Sequence, residues 1–339
     1  MRTLLLLAAM GQLTACGLSD DAEFRGAPPA TQQVTVAFPG VSTMTVRPIK
    51  EDDSPMASEL AMYYRLSQNM AALLNASGLQ LLSVARLMVQ LPATTRMGQS
   101  RTWGPYEPGG SDPLTYRLVV MQLGEAVFAY TLSARAPTPT SEGEFLTVLE
   151  GSVSQGASSG SGRGRMTVLY DNRRKLVPQS CEQGRIDFDF DTLGEPALLD
   201  VTFHQAGSQN PQNRKCKQDP PRDGRFHAEH SAAGTASLVF DVRTDVHQSD
   251  GSRPLLETVL LHSRWDQTGV GRADGKIADG EVSSDLRNAG RSERYVTFSQ
   301  CWSELGKPVF QLATPESLRL MAASGDPLRC VPANVALPE

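Results

Sequence analysis

Histidine is the side chain best suited to acid–base chemistry near neutral pH, and the chain has five. The run His227-Ala228-Glu229-His230 holds two of them, whereas His204, His247 and His262 are isolated in the sequence. In an extended strand His227 and Glu229 share a face and His230 points the other way, so both histidines chelate one metal ion only if the chain turns there. We therefore predict two solvated histidines and no metal site.

The motifs of common catalytic centres are missing from the sequence. It has no Gly-x-Ser-x-Gly elbow, no Walker loop and no His-Glu-x-x-His pair. Residues 266–275 superficially resemble a calcium loop, and Asp274 and Asp279 offer carboxylates, but the alternating acids and closing glutamate of an EF-hand are missing. We predict a glycine-rich turn before a strand, with no catalytic residue, no cofactor and no metal, and we expect that the protein is not an enzyme.

Cys16 stands at the end of a segment typical of exported proteins. Arg2 gives the start a positive charge, and residues 4–10 form an apolar run that is well short of the ~20 residues needed to span a bilayer. Leu13-Thr14-Ala15-Cys16 resembles the lipobox of bacterial lipoproteins: an aliphatic residue, two small residues and the cysteine. The resemblance implies that residues 1–15 are a signal peptide and that Cys16 is lipidated. An ordinary signal peptide with a chance cysteine is the alternative.

Gly17, rather than an aspartate, follows Cys16. By resemblance to the enterobacterial sorting rule, this favours a lipid anchor in the outer membrane over one in the inner membrane. The predicted location is therefore the cell envelope.

The remaining four cysteines are Cys181, Cys216, Cys301 and Cys330. An even number in an exported chain suggests two disulfides. We favour Cys181–Cys216 and Cys301–Cys330, because each pair brackets a local unit, while four unpaired thiols are the alternative. The sequence has no Cys-x-x-Cys spacing of the kind that indicates a zinc site.

Composition limits the partners. The 339 residues carry a formal net charge of −5 with scattered charges, so we expect no nucleic acid. No later apolar run reaches 18 residues, and no transmembrane helix is predicted. The expected partner is membrane lipid, through acylated Cys16, while a hydrophobic ligand or an envelope protein stays open.

The elements that would carry these residues begin with a tether and helices. Residues 16–52 are predicted to be the lipidated cysteine and a tether, because Asp20, Asp21 and Pro28-Pro29 disfavour a packed helix. Residues 53–91 repeat apolar side chains at spacings of three and four, which indicates helix. Ser54-Pro55 is a plausible start. Asn75-Ala76-Ser77-Gly78 interrupts the pattern, so we predict a helical hairpin or a broken helix.

From about residue 113 the apolar period becomes two. In residues 185–191 Ile186, Phe188 and Phe190 alternate with aspartates, as in an antiparallel strand with one wet face. Similar segments give about ten to twelve strands, with a polar loop at residues 206–225. We predict a mainly β (α+β) fold: a large curved antiparallel sheet or half-barrel, with the N-terminal helical hairpin packed against it, as a single domain over residues 53–339.

The layout resembles uncharacterised β-rich bacterial lipoproteins, notably of the myxobacterial type. The residues behind the resemblance are the lipobox, Thr102-Trp103-Gly104-Pro105 before a strand, Trp265 leading to Gly271-Arg272-Ala273-Asp274, and a strand ending in Cys301-Trp302. It spans most of the chain and implies no activity.

Three functional hypotheses follow. The first is a non-enzymatic envelope lipoprotein, binding or structural, which includes a periplasmic carrier of lipid or another hydrophobic ligand in a cavity of the concave face. The second is a hydrolase with a dispersed active site, which needs a histidine within reach of both a carboxylate and a serine or cysteine. The third is a subunit of a surface assembly, which needs an exposed apolar patch or an unpaired sheet edge.

Overall fold

The computed structural model of the protein describes residues 21–39, 60–76, 78–109, 112–136, 144–158, 160–178, 180, 182–207, 222–244, 256–315 and 323–330. Its strands form one antiparallel sheet in which each strand pairs with the next along the chain. They are β1 (Thr95–Met97), β2 (Ser100–Tyr106), β3 (Thr115–Gly124), β4 (Val127–Arg135), β5 (Leu146–Gln155), β6 (Gly162–Leu169), β7 (Gln183–Asp191), β8 (Ala197–Gly207), β9 (Arg222–His230), β10 (Ala236–Thr244), β11 (Glu257–Trp265), β12 (Gly271–Asp279), β13 (Tyr295–Trp302), β14 (Pro308–Thr314) and β15 (Ser324–Gly325).

The mainly β, antiparallel class predicted from the sequence is confirmed, but the sheet has 15 strands rather than ten to twelve. β2 was missed because Trp103-Gly104-Pro105 reads as a turn, whereas the strand continues through it with an irregular register. β9 was missed because it carries few buried apolar side chains, chiefly Phe226 and Ala228. Its first residues fall in the predicted loop at 206–225. β1 and β15 are edge strands of three and two residues.

Among the described residues, four α-helices accompany the sheet: α1 (Met62–Ala76), α2 (Leu79–Met88), α3 (Tyr170–Leu176) and α4 (Gly280–Asn288). Gly78 separates α1 from α2 and has φ +76°, a backbone conformation that glycine adopts without strain. A Cβ at Gly78 would also come within 2.7 Å of Val168 Cγ2. The interruption predicted at 75–78 is therefore where the helix breaks, while the predicted start at Ser54-Pro55 lies outside the described residues.

α1 and α2 lie end to end across the sheet, not side by side as in a helical hairpin. The ring of Tyr63, in α1, stacks on Phe298 of β13 with centroids 3.6 Å apart. Met88, at the end of α2, lies against Gly104 of β2. The broken helix is thus the correct alternative of the two that the sequence left open.

The same contacts show that the sheet curves around the helices. From Tyr63 to Met88 the helices span about 38 Å at 1.5 Å per residue. Along the sheet, β2 and β13 are separated by eleven strand-to-strand steps, or about 53 Å at ~4.8 Å per step. Because the path along the sheet is longer than the helices, the strands must bend toward them, and α1 and α2 occupy the concave face.

Residues 21–39, which we call the strap, are packed into the domain, so the tether predicted for residues 16–52 is wrong for this part. Phe24, Val34 and Phe38 are buried in the core. The strap consists of two short 3₁₀ helices and extended chain. The short alternation of buried Val34, Val36 and Phe38 indicates burial, but the segment forms no strand.

The two ends of the sheet differ. Short turns at 98–99, 125–126, 156–161, 192–196, 231–235, 266–270 and 303–307 all lie at one end, which we call the turn end. The opposite loop end carries α3, α4 and the longer connections. Thr268 N donates to Asp266 Oδ1 (2.8 Å) in the turn before β12, where the sequence predicts a turn and not a calcium loop.

By length and composition alone the α1–α2 segment is apolar enough to cross a membrane. In the structure Tyr63, Leu74 and Met88 are each about 1% exposed or less. Core helices of globular domains pass the same test of length and composition, and these three side chains of α1–α2 are buried against the sheet.

Candidate functional site

The predicted lipidation site, Cys16, lies outside the described residues, as do Cys181 and Cys216. Cys301 and Cys330 form a disulfide with their Cα atoms 5.5 Å apart. Cys301 is in β13, so this bond fixes segment 323–330, which contains β15, to the sheet beside β14.

His227 lies on the outer face of β9 between two carboxylates. Its Nδ1 is 2.7 Å from Asp200 Oδ1 on β8, and its Nε2 is 3.2 Å from Glu229 Oε1. Partial burial opposes the charged imidazole, but the hydrogen bonds with Asp200 and Glu229 outweigh it and raise the pKa of His227. Both ring nitrogens are thus engaged by acids, and neither is available to activate a serine.

His230 is on the opposite face of β9, as the alternation predicts, because it pairs with Ala236 in the inward-facing row. His227 and His230 therefore do not share a ligand. His247 lies outside the described residues. Within the described ranges, no group of three or more His, Cys, Asp or Glu side chains is placed to hold a metal ion.

A serine, an aspartate and a histidine do stand in one row on the outer face, but in an order that does not suit hydrolysis. Ser299 on β13 faces Asp274 on β12, which faces His262 on β11. The serine hydroxyl donates to Asp274 Oδ1. A catalytic triad places the imidazole between the serine and the carboxylate, whereas here the carboxylate is in the middle.

Asp274 is buried and neutralised by its neighbour Arg272. The guanidinium donates from Nε to Oδ2 (2.7 Å) and from Nη2 to Oδ1 (2.8 Å). Such a two-point pair is a strong charge-assisted interaction. Asp279 lies five residues along the extended strand, about 16 Å away at ~3.3 Å per residue, so the two carboxylates do not share a calcium ion.

A polar cluster closes the loop end next to α3. The Tyr116 hydroxyl donates to Asp112 Oδ2 (2.8 Å), and Arg173 pairs with Glu182 and lies 3.9 Å from Asp112. Burial and the adjacent Asp112 raise the pKa of Tyr116 well above its usual range. The tyrosine stays neutral and the charges are paired, which is a structural arrangement rather than a reactive one.

The concave face is filled by the chain's own side chains at the described positions. Ring contacts link Phe203, Phe226 and Phe240 on neighbouring strands, with centroids 5.1 and 5.9 Å apart. Burial raises the pKa of Tyr63 and Tyr130, so both stay neutral and serve packing. Close packing of this kind is typical of a protein core, and the carrier hypothesis, which expects an acyl-sized cavity here, gains no support from it.

An open groove of about 640 Å³ crosses the outer face of β10–β13 near the loop end. The Lys276 ammonium lies 4.2 Å from the ring centroid of Tyr295, and Asp241 and Asp279 also line the groove. Asp279 Oδ2 accepts a hydrogen bond from Thr258 (2.7 Å). The groove has charges of both signs, so it does not select a ligand of one charge.

The strap begins at an ion pair that the sequence did not reveal. Asp21, 3% exposed, accepts from Arg96 Nη2 on β1 (2.6 Å), from Arg101 Nε on β2 (3.3 Å) and from the amide of Ala93 (3.1 Å). The hydrogen bonds from Arg96, above all, lower the pKa of Asp21. No charge pattern in the sequence connects an acid at 21 with arginines 75 and 80 residues later.

Three more points of contact hold the strap along its length. Arg86 Nη1 donates to the carbonyl of Pro29 (2.8 Å). The Asn75 side chain pairs with both backbone groups of Val36, accepting from its amide (2.7 Å) and donating to its carbonyl (2.9 Å). Phe38 then packs between Tyr64 and Trp265. The strap thus runs from β1–β2 to β11 at the turn end. Contacts hold it at Asp21, Pro29, Val36 and Phe38.

No protein-family description, no curated protein and no solved structure matches this chain.

Proposed function

We propose that the protein is an envelope lipoprotein, anchored through acylated Cys16, whose role is binding or structural rather than catalytic. The observation that carries the proposal is the lipobox sequence Leu13-Thr14-Ala15-Cys16 after a short apolar segment. Two or more acyl chains on one residue give a stable membrane anchor, because each buried CH₂ contributes ~0.8 kcal/mol. Gly17 favours the outer membrane.

The position of the strap supports this proposal. Asp21 is already fixed to the domain and lies only five residues after Cys16. A fully extended chain covers at most ~3.3–3.6 Å per residue, so Cys16 and Asp21 lie within about 17 Å of each other. Acyl chains on Cys16 would therefore hold the folded domain against the bilayer surface and not on a long tether.

The geometry of the polar residues supports the non-enzymatic role. His227 is held by two acids, and the row Ser299–Asp274–His262 places the acid in the middle. Hydrolysis by a dispersed triad needs a histidine between a nucleophile and a carboxylate, an order found at neither place.

Mass spectrometry of the protein purified from its own membrane tests the proposal. We expect a mature chain that begins at Cys16 with the added mass of diacylglycerol and an amide-linked acyl chain. A Cys16→Ser variant is expected to lose this mass and to leave the membrane fraction. The double variant Cys301→Ser/Cys330→Ser is the control, because it also replaces cysteine by serine but leaves the lipobox intact, and it should keep the acyl mass. An unacylated wild-type protein, or a Cys16→Ser protein that stays in the membrane fraction, would contradict the proposal.

A further inference from the structure

We propose that one corner of the sheet, made by β1, the β1–β2 turn and the end of β3, docks onto the bilayer that holds the acyl chains of Cys16. The proposal rests on the anchored lipoprotein proposed above and adds which surface of the domain contacts lipid. The bilayer is the occupant because the chain that leaves the domain at Asp21 leads to Cys16 within five residues.

The corner exposes three apolar side chains. Met97 is 73% exposed, Leu123 is 57% exposed and Met121 is 48% exposed. Met97 and Met121 each pair with Ser100, so they occupy one cross-strand row and the same face. Leu123 follows at the end of β3, next to the β3–β4 turn. Single exposed apolar residues are common on protein surfaces, but these are grouped at one place.

The strap begins at the same hairpin, on its inner face. Asp21 binds Arg96 and Arg101, which form the row next to Met97 and Ser100 and point to the opposite face. With at most about 17 Å of extended chain between Asp21 and Cys16, the β1–β2 hairpin is the part of the sheet that an acyl anchor brings nearest to the lipid. Side chains of interfacial segments reach ~5–10 Å into the headgroup and acyl boundary, and Met97 at the hairpin tip is placed to do so.

The charge of the outer face agrees with this orientation. Beside Met121 the outward positions on the strands are uncharged, at Thr102, Val119 and Ala129, whereas Glu125 in the adjacent β3–β4 turn is exposed. On β7–β9 the outward row holds Asp189, Asp200 and His227 instead. Moving charges out of water is costly whereas burying thioether and isobutyl groups is favourable, so the corner is the part of this face that suits lipid.

Quenching by brominated lipid tests the contact in the lipidated full-length protein. Met97→Trp and Leu123→Trp introduce an indole at the corner, and Tyr295→Trp introduces one at the loop end, where Tyr295 is 44% exposed. The native tryptophans are all buried, so the wild-type signal provides the background. Each protein is reconstituted into phosphatidylethanolamine–phosphatidylglycerol vesicles with and without dibrominated acyl chains.

We expect that brominated vesicles remove about half or more of the added emission at positions 97 and 123, because indoles at interfacial depth lie near the bromines, and leave that at position 295 nearly unchanged. Acylated protein with equal quenching at all three positions would overturn the docking proposal while the anchor stands. Protein without acyl mass would instead overturn the proposed function. Unquenched but blue-shifted emission at 97, with a dimer in native mass spectrometry, would show that a second copy covers the corner.

Discussion

Replacing Phe24 with alanine tests whether the strap is part of the folded core. Phe24 is fully buried and packs against Trp103 and Phe128, with ring centroids 6.5 and 5.7 Å away. The Arg101 guanidinium lies 4.6 Å from the centre of its ring. Removing a buried phenylalanine costs ~3–5 kcal/mol of unfolding free energy. We expect about 4 kcal/mol, because the cavity is bordered by sheet side chains that cannot collapse into it.

Thermal unfolding of the protein in detergent micelles, followed by tryptophan fluorescence, measures this loss. In a domain of this size 1 kcal/mol corresponds to roughly 2 °C, so the Tm of Phe24→Ala should fall by about 8 °C. Glu23→Ala is the matched control, because Glu23 is exposed in the same 3₁₀ helix. Exposed substitutions usually stay within ~0.5 kcal/mol. A Phe24→Ala protein with the same Tm as the control would show that the strap is not packed into the core and would favour the tether predicted from the sequence.

Three further predictions follow from single contacts. Asp21→Asn should cost about 2 kcal/mol of stability at pH 7, in line with hydrogen bonds to charged groups. The pKa of Asp21 is lowered from 3.8 in the folded protein. Urea titrations should therefore show that the difference in unfolding free energy between wild type and variant shrinks as the pH falls through the folded pKa. His227→Gln should lower the Tm more at pH 5.5 than at pH 8.5, because the pKa of His227 is raised in the folded protein. A raised folded pKa adds stability at pH values below the unfolded pKa, and this stability is lost as the pH rises through the folded pKa. An equal fall in Tm at both pH values would contradict this prediction. Gly275→Ala should cost ~1–3 kcal/mol by overpacking, because its Cβ would lie 1.9 Å from Phe298 Cζ, and no loss in chemical denaturation would show that the ring moves freely.

The sequence predicts strands where one apolar row faces a core. In β7 the buried row Ile186, Phe188 and Phe190 alternates with outward aspartates, so the period of two is plain. β9 has the same geometry, but its outward row and its ends are polar, and only Phe226 and Ala228 mark the inner face. A strand in the middle of a sheet can be this polar because its neighbours supply the pairing and most of the core.

The helices show the same limit. The period of α1 and α2 is long enough to detect, and Gly78 marks the break. α3 has no buried side chain, so its sequence has no apolar stripe that would indicate a helix. Whether α1 and α2 fold back on each other or run end to end depends on which strands they contact. They contact Phe298 of β13 and Gly104 of β2, and Phe298 is far from the helices in the sequence.

The candidate site was harder to predict because its contacts are long-range. Asp21 and the prolines that follow it are typical of a linker when read locally. Their role depends on Arg96 and Arg101, which become neighbours only when the sheet forms. The alternation at Val34, Val36 and Phe38 was the available signal, and it indicates burial correctly even though the segment does not form a strand.

The packed strap changes what an anchor at Cys16 can do. A free tether of some 35 residues would let the domain turn in any direction and reach ~120 Å from the bilayer when extended. With the chain fixed at Asp21, the domain has only residues 17–20 between the anchor and its first ion pair, so its orientation is restricted by the reach of that short segment. If Cys16 carries the proposed anchor, the β1–β3 corner is held near the lipid, while the outer face of β7–β9, with Asp200 and His227, lies several strands away along the curved sheet. A protein partner would then meet the charged outer face rather than the corner.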